Sequence, residues 1–166
     1  MRDQLNADTL RRSLRHVRER GVLVATLQRL AEQDPLTGIA NRQGFQALLN
    51  ARLAENEGRG VALGHLDLDN FRHVNDALGH QSGDRLILQV VARLKHQLEA
   101  GDQLARLGSD EFALLIDTRR DANRAEWIAE RIVEALAEPY WIDGESLLLG
   151  CSCLLYTSDA ADDLLC

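Results

Sequence analysis

The segment from Val61 to Leu68 constrains the fold of this chain more than any other. It is a short apolar run, interrupted mainly by a glycine and a histidine, and acidic residues stand at its end. A run of this kind predicts a buried strand. Amphipathic helices are predicted on both sides, over about 42–55 before it and over 71–78 and 82–99 after it. A strand set among amphipathic helices indicates a sheet with helices packed on it.

Two hairpins are predicted in the second half of the chain. Residues 103–107 and 112–116 form the first, because two apolar runs flank a tight turn. Residues 140–142 and 146–151 form the second, around Asp143-Gly144. Strands and helices in this order predict the α+β class, an α/β sandwich with helices packed on a central sheet.

Residues 5–33 are predicted to form one helix, since leucines and valines recur there at mostly helical spacing among many arginines. This N-terminal linker, residues 1–33, is either a dimerising coiled coil or signalling linker, or an ordinary surface helix, because its heptads are imperfect. The sequence DPLTG at 34–38 ends it. A further helix is predicted over about 123–138, and GHQSG at 79–83 is predicted to separate the two helices before the first hairpin.

The formal net charge of -7 argues against a nucleic-acid partner, because phosphate backbones attract an excess of Lys and Arg. The sequence has no run of roughly 18 apolar residues, and its charged start lacks the apolar stretch of a signal peptide. We therefore expect a cytoplasmic location, although a parent protein could be anchored in a membrane through a missing region. The cysteines Cys151, Cys153 and Cys166 have neither the neighbours of a zinc site nor the number of a disulfide framework.

The C-terminal residues 153–166 are interpreted as a non-native tail. The sequence CLLYTSDAAD within them resembles the translation of a transposon adapter used to prepare sequencing libraries. Such segments are set aside before the fold is considered. Residues 34–152 are then predicted to form the domain, incomplete at its C-terminus. A natural frayed tail is the alternative.

Asp67 and Asp69 stand where the predicted buried strand ends. Alternation along a strand places their carboxylates on one face, while Leu68 points to the opposite face. Two carboxylates at this position are well placed to hold a hard cation. The alternative is that they solvate the end of the strand or cap the following helix.

Asp110 and Glu111 occupy the turn of the first predicted hairpin. A central sheet could bring this turn beside Asp67, so that three carboxylates converge. Converging carboxylates repel one another unless a cation neutralises them, and Mg²⁺ with oxygen ligands is the usual solution. The alternative is an acidic turn that only increases solubility.

Four segments resemble the motifs of the GGDEF family of diguanylate cyclases, in the family's order. Residues 34–42, DPLTGIANR, are similar to DxLTGLxNR, and residues 67–76, DLDNFRHVND, to DxDxFKxxND. Residues 79–84, GHQSGD, match GHxxGD, and residues 106–112, RLGSDEF, resemble the RxGGDEF signature. The resemblance covers residues from about 31 to 152. Four ordered motifs are far more specific than one glycine-rich match.

The resemblance implies a nucleotide-cyclase-like central sheet surrounded by helices and preceded by an N-terminal helix. It also implies a diguanylate cyclase that condenses two GTP molecules into cyclic di-GMP and releases pyrophosphate. A 3′-hydroxyl of one GTP attacks the α-phosphate of the other in line. A homodimer is needed for catalysis, since each subunit offers one GTP.

A second function is left open by the same resemblance. The chain is then a catalytically weak or inactive GTP-binding domain that regulates an attached module, such as a sensor domain or an EAL-type phosphodiesterase. The sequence Ala137-Glu138-Pro139-Tyr140, with Asp143-Gly144 after it, resembles cyclase domains of such tandem proteins.

The resemblance further implies a metal site for Mg²⁺ or Mn²⁺. Its ligands are the carboxylates of Asp67 and Asp110 and the carbonyl of Leu68. Glu111 completes the metal site or assists deprotonation of the attacking hydroxyl. Asp67, Asp110 and Glu111 are thus the implied catalytic residues.

A GTP site is implied next to the metal. Backbone N–H groups around Asn70, Phe71 and Arg72 would cradle the β and γ phosphates, and Arg72, where the family usually has Lys, adds positive charge. Asn75 and Asp84 match the family's guanine readers. The alternative for each is a structural position at a helix end.

The signature turn supplies Gly108 and Ser109 to the implied GTP site. Ser109 replaces the second Gly of the signature. Its Cβ costs about 1 kcal/mol or more if the position requires a positive φ, or crowds the nucleotide if GTP approaches the backbone closely there. The family's inhibitory RxxD is Glu99-Ala100-Gly101-Asp102 in this chain. Because an acid replaces the arginine, we predict no product inhibition there.

Overall fold

The computed structural model of the chain describes residues 2–55 and 59–157. Within these residues the chain forms helices and strands that alternate much as the sequence predicts. The helices are α1 (Arg2–Glu32), α2 (Arg42–Glu55), α3 (Phe71–Leu78), α4 (His80–Gln97) and α5 (Arg124–Ala137). The strands are β1 (Val61–Leu68), β2 (Gln103–Arg106), β3 (Glu111–Asp117), β4 (Tyr140–Ile142), β5 (Glu145–Leu147) and β6 (Cys151–Thr157).

The central sheet is antiparallel, with its strands in the order β2-β3-β1-β6. β1 pairs with β3 on one side, from Val61 opposite Asp117 to Asp67 opposite Glu111. It pairs with β6 on the other side. Strands β4 and β5 form a separate hairpin. β1 is therefore held by two neighbours, as expected of the buried strand that the sequence predicts.

Side-chain alternation along β1 and β3 divides the core into two layers. Leu66 and Leu68 of β1 pack with the buried side chains of α4 and α5. Val61 packs with Phe45 of α2 on the other face of the sheet. Because alternation has a period of two, Asp67 lies on the α2 face, opposite Leu68. The sheet thus anchors Leu68 in the core and leaves Asp67 only partly covered.

The prediction that GHQSG separates α3 from α4 is wrong. α3 ends at Leu78 and α4 begins at His80, so Gly79 alone lies between them. Its φ of 85° lets the chain change direction at a single residue. The remaining GHQSG residues form the first turn of α4.

The second predicted hairpin is shorter than expected. β5 ends at Leu147, and Cys151 belongs instead to β6 in the central sheet. The pairing satisfies the second backbone edge of β1, which would otherwise be left open. Residues 153–157 of the predicted tail are part of this strand, and 158–166 lie outside the described residues. Their non-native origin stays a prediction.

The helix α1 is continuous through Gly21, as predicted. Large apolar side chains between residues 7 and 32 are exposed, among them Leu10, Leu14, Val17 and Leu27. This exposure leaves open both interpretations of the N-terminal segment. Within the described ranges, none of the helices has the length and hydrophobicity that crossing a membrane requires.

Asn41 joins the end of α1 to the start of α2. Its Oδ1 accepts a hydrogen bond from the Gly44 N–H at 2.9 Å, and its Nδ2 donates to the Ala31 carbonyl at 2.8 Å. Asn41→Ala is expected to lower the free energy of unfolding by about 1–2 kcal/mol, because it removes a helix cap and a link between helices. Urea unfolding measures the loss. The exposed Asn50→Ala on α2 is the matched control, and equal midpoints for the two variants would contradict the assignment.

Candidate functional site

The structure places the end of β1 beside the turn between β2 and β3. Asp67 lies opposite Glu111 in the β1–β3 register. The Leu68 N–H donates to the Asp110 carbonyl at 3.0 Å. The backbones of the two acidic segments are therefore neighbours, because the hairpin pairs directly with the middle strand.

Asp67 has the electrostatic environment of a site that attracts a cation. Burial raises the pKa of its carboxyl, and the nearby charges of Asp110, Glu111 and Asp69 raise it further, while His65 opposes them. A carboxylate surrounded by like charges is less stable in its ionised form. A bound cation would relieve this repulsion.

The carboxylates of Asp110 and Glu111 have partners on the outer side of the turn. Ser109 Oγ donates to Asp110 Oδ1 at 2.8 Å, and Arg42 Nη2 lies 3.5 Å from Glu111 Oε2. In the part of the chain that the structure describes, no group of three or more His, Cys, Asp or Glu side chains is arranged to hold a metal ion. The available donors, carboxylate and carbonyl oxygens, are nevertheless those that Mg²⁺ prefers. The chemistry of these donors therefore fits the ion.

A strained turn joins β1 to α3. Asn70 has φ 62° and ψ 16°, the left-handed conformation, and its side chain makes no hydrogen bond that caps the helix. Phe71 is buried and fixes the first turn of α3 in the core. The first N–H groups of a helix lack intrahelical acceptors, and a left-handed residue before them favours an anion-binding concavity. Arg72 is exposed beside these groups.

Asn75 and Asp84 lie on adjacent helices. Asn75 is half-buried in α3 and touches α4 at Gly83, and Asp84 is the exposed residue that follows Gly83. The helix-end alternative is wrong for Asp84, because α4 starts at His80 and has no acidic residue in its first turn. It stays open for Asn75, which lies in the last turn of α3, where its carbonyl accepts the Gly79 N–H at 2.9 Å.

The signature turn is exposed and unstrained at Ser109. Among the described non-glycine residues, only Asn70 and Asp143 have a positive φ, and Gly108 also lacks one. A positive φ, the first condition under which the Ser109 Cβ would be costly, is therefore absent. Arg106 Nη2 donates to the Ser109 carbonyl at 2.8 Å and holds the turn.

Comparison with protein families decides what kind of domain this is. Residues 31–165 match the family model described as "Diguanylate cyclase, GGDEF domain". The chain belongs to the GGDEF family. Its fold is accordingly the α+β GGDEF fold, with an N-terminal helix and a central antiparallel sheet surrounded by helices.

Two curated relatives of this GGDEF chain come from Pseudomonas aeruginosa. Cyclic di-GMP phosphodiesterase NbdA is 39% identical over 133 residues, which is 77% of this chain and 16% of NbdA. Diguanylate cyclase TpbB is 37% identical over 117 residues, 69% of this chain and 27% of TpbB. The chain thus spans about a quarter or less of the length of these relatives.

A solved structure shares the fold of the GGDEF chain. It is the coiled coil and GGDEF domain of DgcB from Caulobacter crescentus in complex with c-di-GMP. The TM-score is 0.78 at 26% identity, and the match covers 88% of this chain and 79% of the DgcB chain. The similarity includes more of this chain than the residues matched by the family model.

The DPLTG motif of this GGDEF domain has a structural role that the sequence reasoning missed. Asp34 Oδ2 accepts hydrogen bonds from the N–H and the hydroxyl of Thr37, at 2.9 and 2.6 Å. Arg106 Nη1 lies 3.4 Å from the same carboxylate. Burial alone would raise the pKa of Asp34, but the Thr37 bonds and the Arg106 charge lower it. One arginine therefore connects the first motif to the signature turn.

Asp102 of the GGDEF domain is a buried structural residue. Arg124 Nη1 and Nη2 each donate to its carboxylate at 2.7 Å. The N–H groups of Glu99 and Asp117 donate to it at 2.9 and 3.1 Å. Its side chain is 0% exposed. The carboxylate thus links the loop before β2, the end of β3 and the start of α5, and the absence of product inhibition at this position stays a prediction.

Proposed function

We propose that the parent protein is a diguanylate cyclase, which condenses two GTP molecules into cyclic di-GMP and pyrophosphate. The observation that supports this most is the geometry at the end of the middle strand, where Asp67 lies opposite Glu111 and the Leu68 N–H donates to the Asp110 carbonyl at 3.0 Å. Acidic segments that meet in this way supply the oxygen donors that a divalent cation prefers. The sequence of the four motifs and the family membership are consistent with this chemistry.

The GTP phosphates would bind at the start of α3. The N–H groups of Phe71 and Arg72, after the left-handed Asn70, form the donors there. The Arg72 guanidinium adds charge that is available to a phosphate oxygen. The buried Phe71 side chain keeps this turn fixed while the nucleotide binds.

Guanine would be read by Asn75 and Asp84. The Asp84 carboxylate can accept hydrogen bonds from guanine N1–H and N2–H₂, donors that the corresponding edge of adenine lacks. The Asn75 amide has both donor and acceptor atoms and can bond to a second part of the base. Gly108 and Ser109, in the exposed turn, would lie along the nucleotide.

Asp67, Asp110 and the Leu68 carbonyl would hold Mg²⁺ or Mn²⁺. When bound, this ion offsets the charge that develops on the reacting phosphate and lowers the pKa of the attacking hydroxyl. Glu111 either completes the ligand set or accepts the hydroxyl proton. In both cases its position opposite Asp67 keeps it within reach of the site.

Two subunits would each present one GTP in the catalytic homodimer. The 3′-hydroxyl oxygen of one GTP bonds to the α-phosphorus of the other, and pyrophosphate leaves in line. A second such step closes the ring of cyclic di-GMP. Two GTP molecules are consumed and two pyrophosphate molecules are released for each product.

The second candidate is a GTP-binding GGDEF domain that regulates an attached phosphodiesterase. Two observations favour it: NbdA, at 39% identity, is named a cyclic di-GMP phosphodiesterase, and Ser109 replaces a signature glycine. In that case the domain binds GTP with little or no turnover. A sensor or EAL-type domain in the parent protein is part of either proposal.

Measuring nucleotide binding and product formation by the purified protein with GTP and Mg²⁺ distinguishes the two functions. Binding of GTP in preference to ATP, with formation of cyclic di-GMP seen by mass spectrometry, is the result expected of the cyclase. Binding with no product would favour the regulatory domain. A protein that binds neither nucleotide would contradict both.

A further inference from the structure

Gly83 is the point at which α4 touches Asn75 of α3. A Cβ added at Gly83 would lie 1.8 Å from Asn75 Oδ1 and 2.9 Å from Asn75 Cγ. Both distances are shorter than any contact that carbon makes with a nonbonded atom. Only a hydrogen atom fits at position 83 while the amide of Asn75 keeps its present orientation.

The backbone of α4 is fixed at this contact. The buried Ser82 donates through Oγ to Asp143 Oδ2 at 2.7 Å, and Arg85 forms an ion pair with the same carboxylate. Asp143 belongs to the β4–β5 turn, so the start of α4 is fastened to that hairpin. One turn further on, Leu86 and Ile87 are 0% exposed in the core. The helix therefore has little freedom to move away from α3.

The backbone of α3 is equally restricted. Phe71 is 4% exposed and belongs to the main core cluster. The Asn75 carbonyl accepts the Gly79 N–H at 2.9 Å, which fixes the residue in the short helix. Since neither backbone can yield, a side chain at position 83 must displace the Asn75 amide. That displacement is a rotation of the half-buried Asn75 side chain, and we expect it to leave the fold intact.

We propose that Gly83 is a positioning residue for guanine recognition, because it keeps the Asn75 amide oriented beside Asp84. The inference rests on the proposed GTP site. An amide can donate and accept only along fixed directions, so its orientation decides which base it fits. A rotated amide loses its bond to guanine, whereas contacts to phosphate through α3 are unchanged.

The test is nucleotide binding to the full chain by calorimetry, with Mg²⁺ and 3′-deoxy-GTP, which lacks the attacking hydroxyl and cannot turn over. Gly83→Ala is expected to weaken 3′-deoxy-GTP about tenfold, the effect of one lost hydrogen bond. Binding of 3′-deoxy-ATP is expected to stay the same, since adenine does not use the amide in this way. Gly21→Ala is the matched control, because a Cβ at this helical glycine meets nothing within 4 Å.

A double-mutant cycle separates positioning from a general structural effect. In an Asn75→Ala background, Gly83→Ala is expected to have no further effect on 3′-deoxy-GTP binding, because the displaced amide is already gone. Additive losses, or an equal loss for both nucleotides, would overturn the proposal. Unchanged 3′-deoxy-GTP affinity in Gly83→Ala would also overturn it while leaving the proposed function in place. An unsubstituted chain that binds no 3′-deoxy-GTP would overturn the proposed function itself.

Discussion

Asp102→Ala is expected to lower the free energy of unfolding by about 3–5 kcal/mol, the cost of breaking one side of a buried ion pair. Arg124, whose side chain is 13% exposed, would lose its bidentate partner and keep only the exposed Glu99 carboxylate and the Asp117 carbonyl. The N–H groups of Glu99 and Asp117 would lose their acceptor at the same time. Asp102 connects the loop before β2, the end of β3 and the start of α5. Its removal is therefore expected to destabilise this edge of the sheet.

Equilibrium unfolding in urea measures this effect. Glu130→Ala removes the same charge from an exposed position on α5 and is expected to change stability by less than about 0.5 kcal/mol. A loss in Asp102→Ala no larger than that of the control would show that the Arg124 pair is not structural. Asp102→Ala could then be used to test ligand binding without a change in stability.

Asp67→Asn is expected to reduce the rate of cyclic di-GMP formation by about 100-fold or more, because a charged ligand at the reacting centre is lost. The free energy of unfolding of Asp67→Asn, in contrast, is not expected to fall. Burial and the neighbouring acids raise the pKa of Asp67 in the folded state, so the stability that its protonated form contributes is lost as pH rises through the folded-state pKa. A neutral amide at this position is expected to leave the free energy of unfolding at neutral pH unchanged or higher.

The combination of lost activity and retained stability is measured by product formation and thermal unfolding with and without Mg²⁺. Mg²⁺ is expected to raise the Tm of the unsubstituted protein and to have a smaller effect on Asp67→Asn. Asp121→Asn, at an exposed position before α5, controls for the general loss of an acid. Full activity in Asp67→Asn would exclude this residue from the metal site.

Local patterns in the sequence were sufficient for much of the fold. The bounds of β1 and α3 were predicted because apolar runs and polar boundaries coincide there. The placement of Asp67 and Leu68 on opposite faces followed from strand alternation alone. The adjacency of Asp67 and the turn at Asp110 followed from a hairpin that pairs with a middle strand.

Contacts between distant segments could not be predicted in this way. Arg106 reaches Asp34 across 72 positions, and Arg124 reaches Asp102 across 22. Neither pair has a local sequence signal. The early start of α4 depends on one glycine with a positive φ, and the pairing of β6 depends on an open edge of β1. Such features are decided by packing, which periodicity does not record.

The amount of cyclic di-GMP and pyrophosphate formed from GTP, with Mg²⁺ and the purified protein, tests the proposed cyclase activity most directly. Mass spectrometry of the products is expected to show one cyclic di-GMP for every two pyrophosphate molecules, and no product from Asp67→Asn above about 1% of the unsubstituted rate. GTP that is bound and left unchanged, or hydrolysed to GDP, would contradict a diguanylate cyclase.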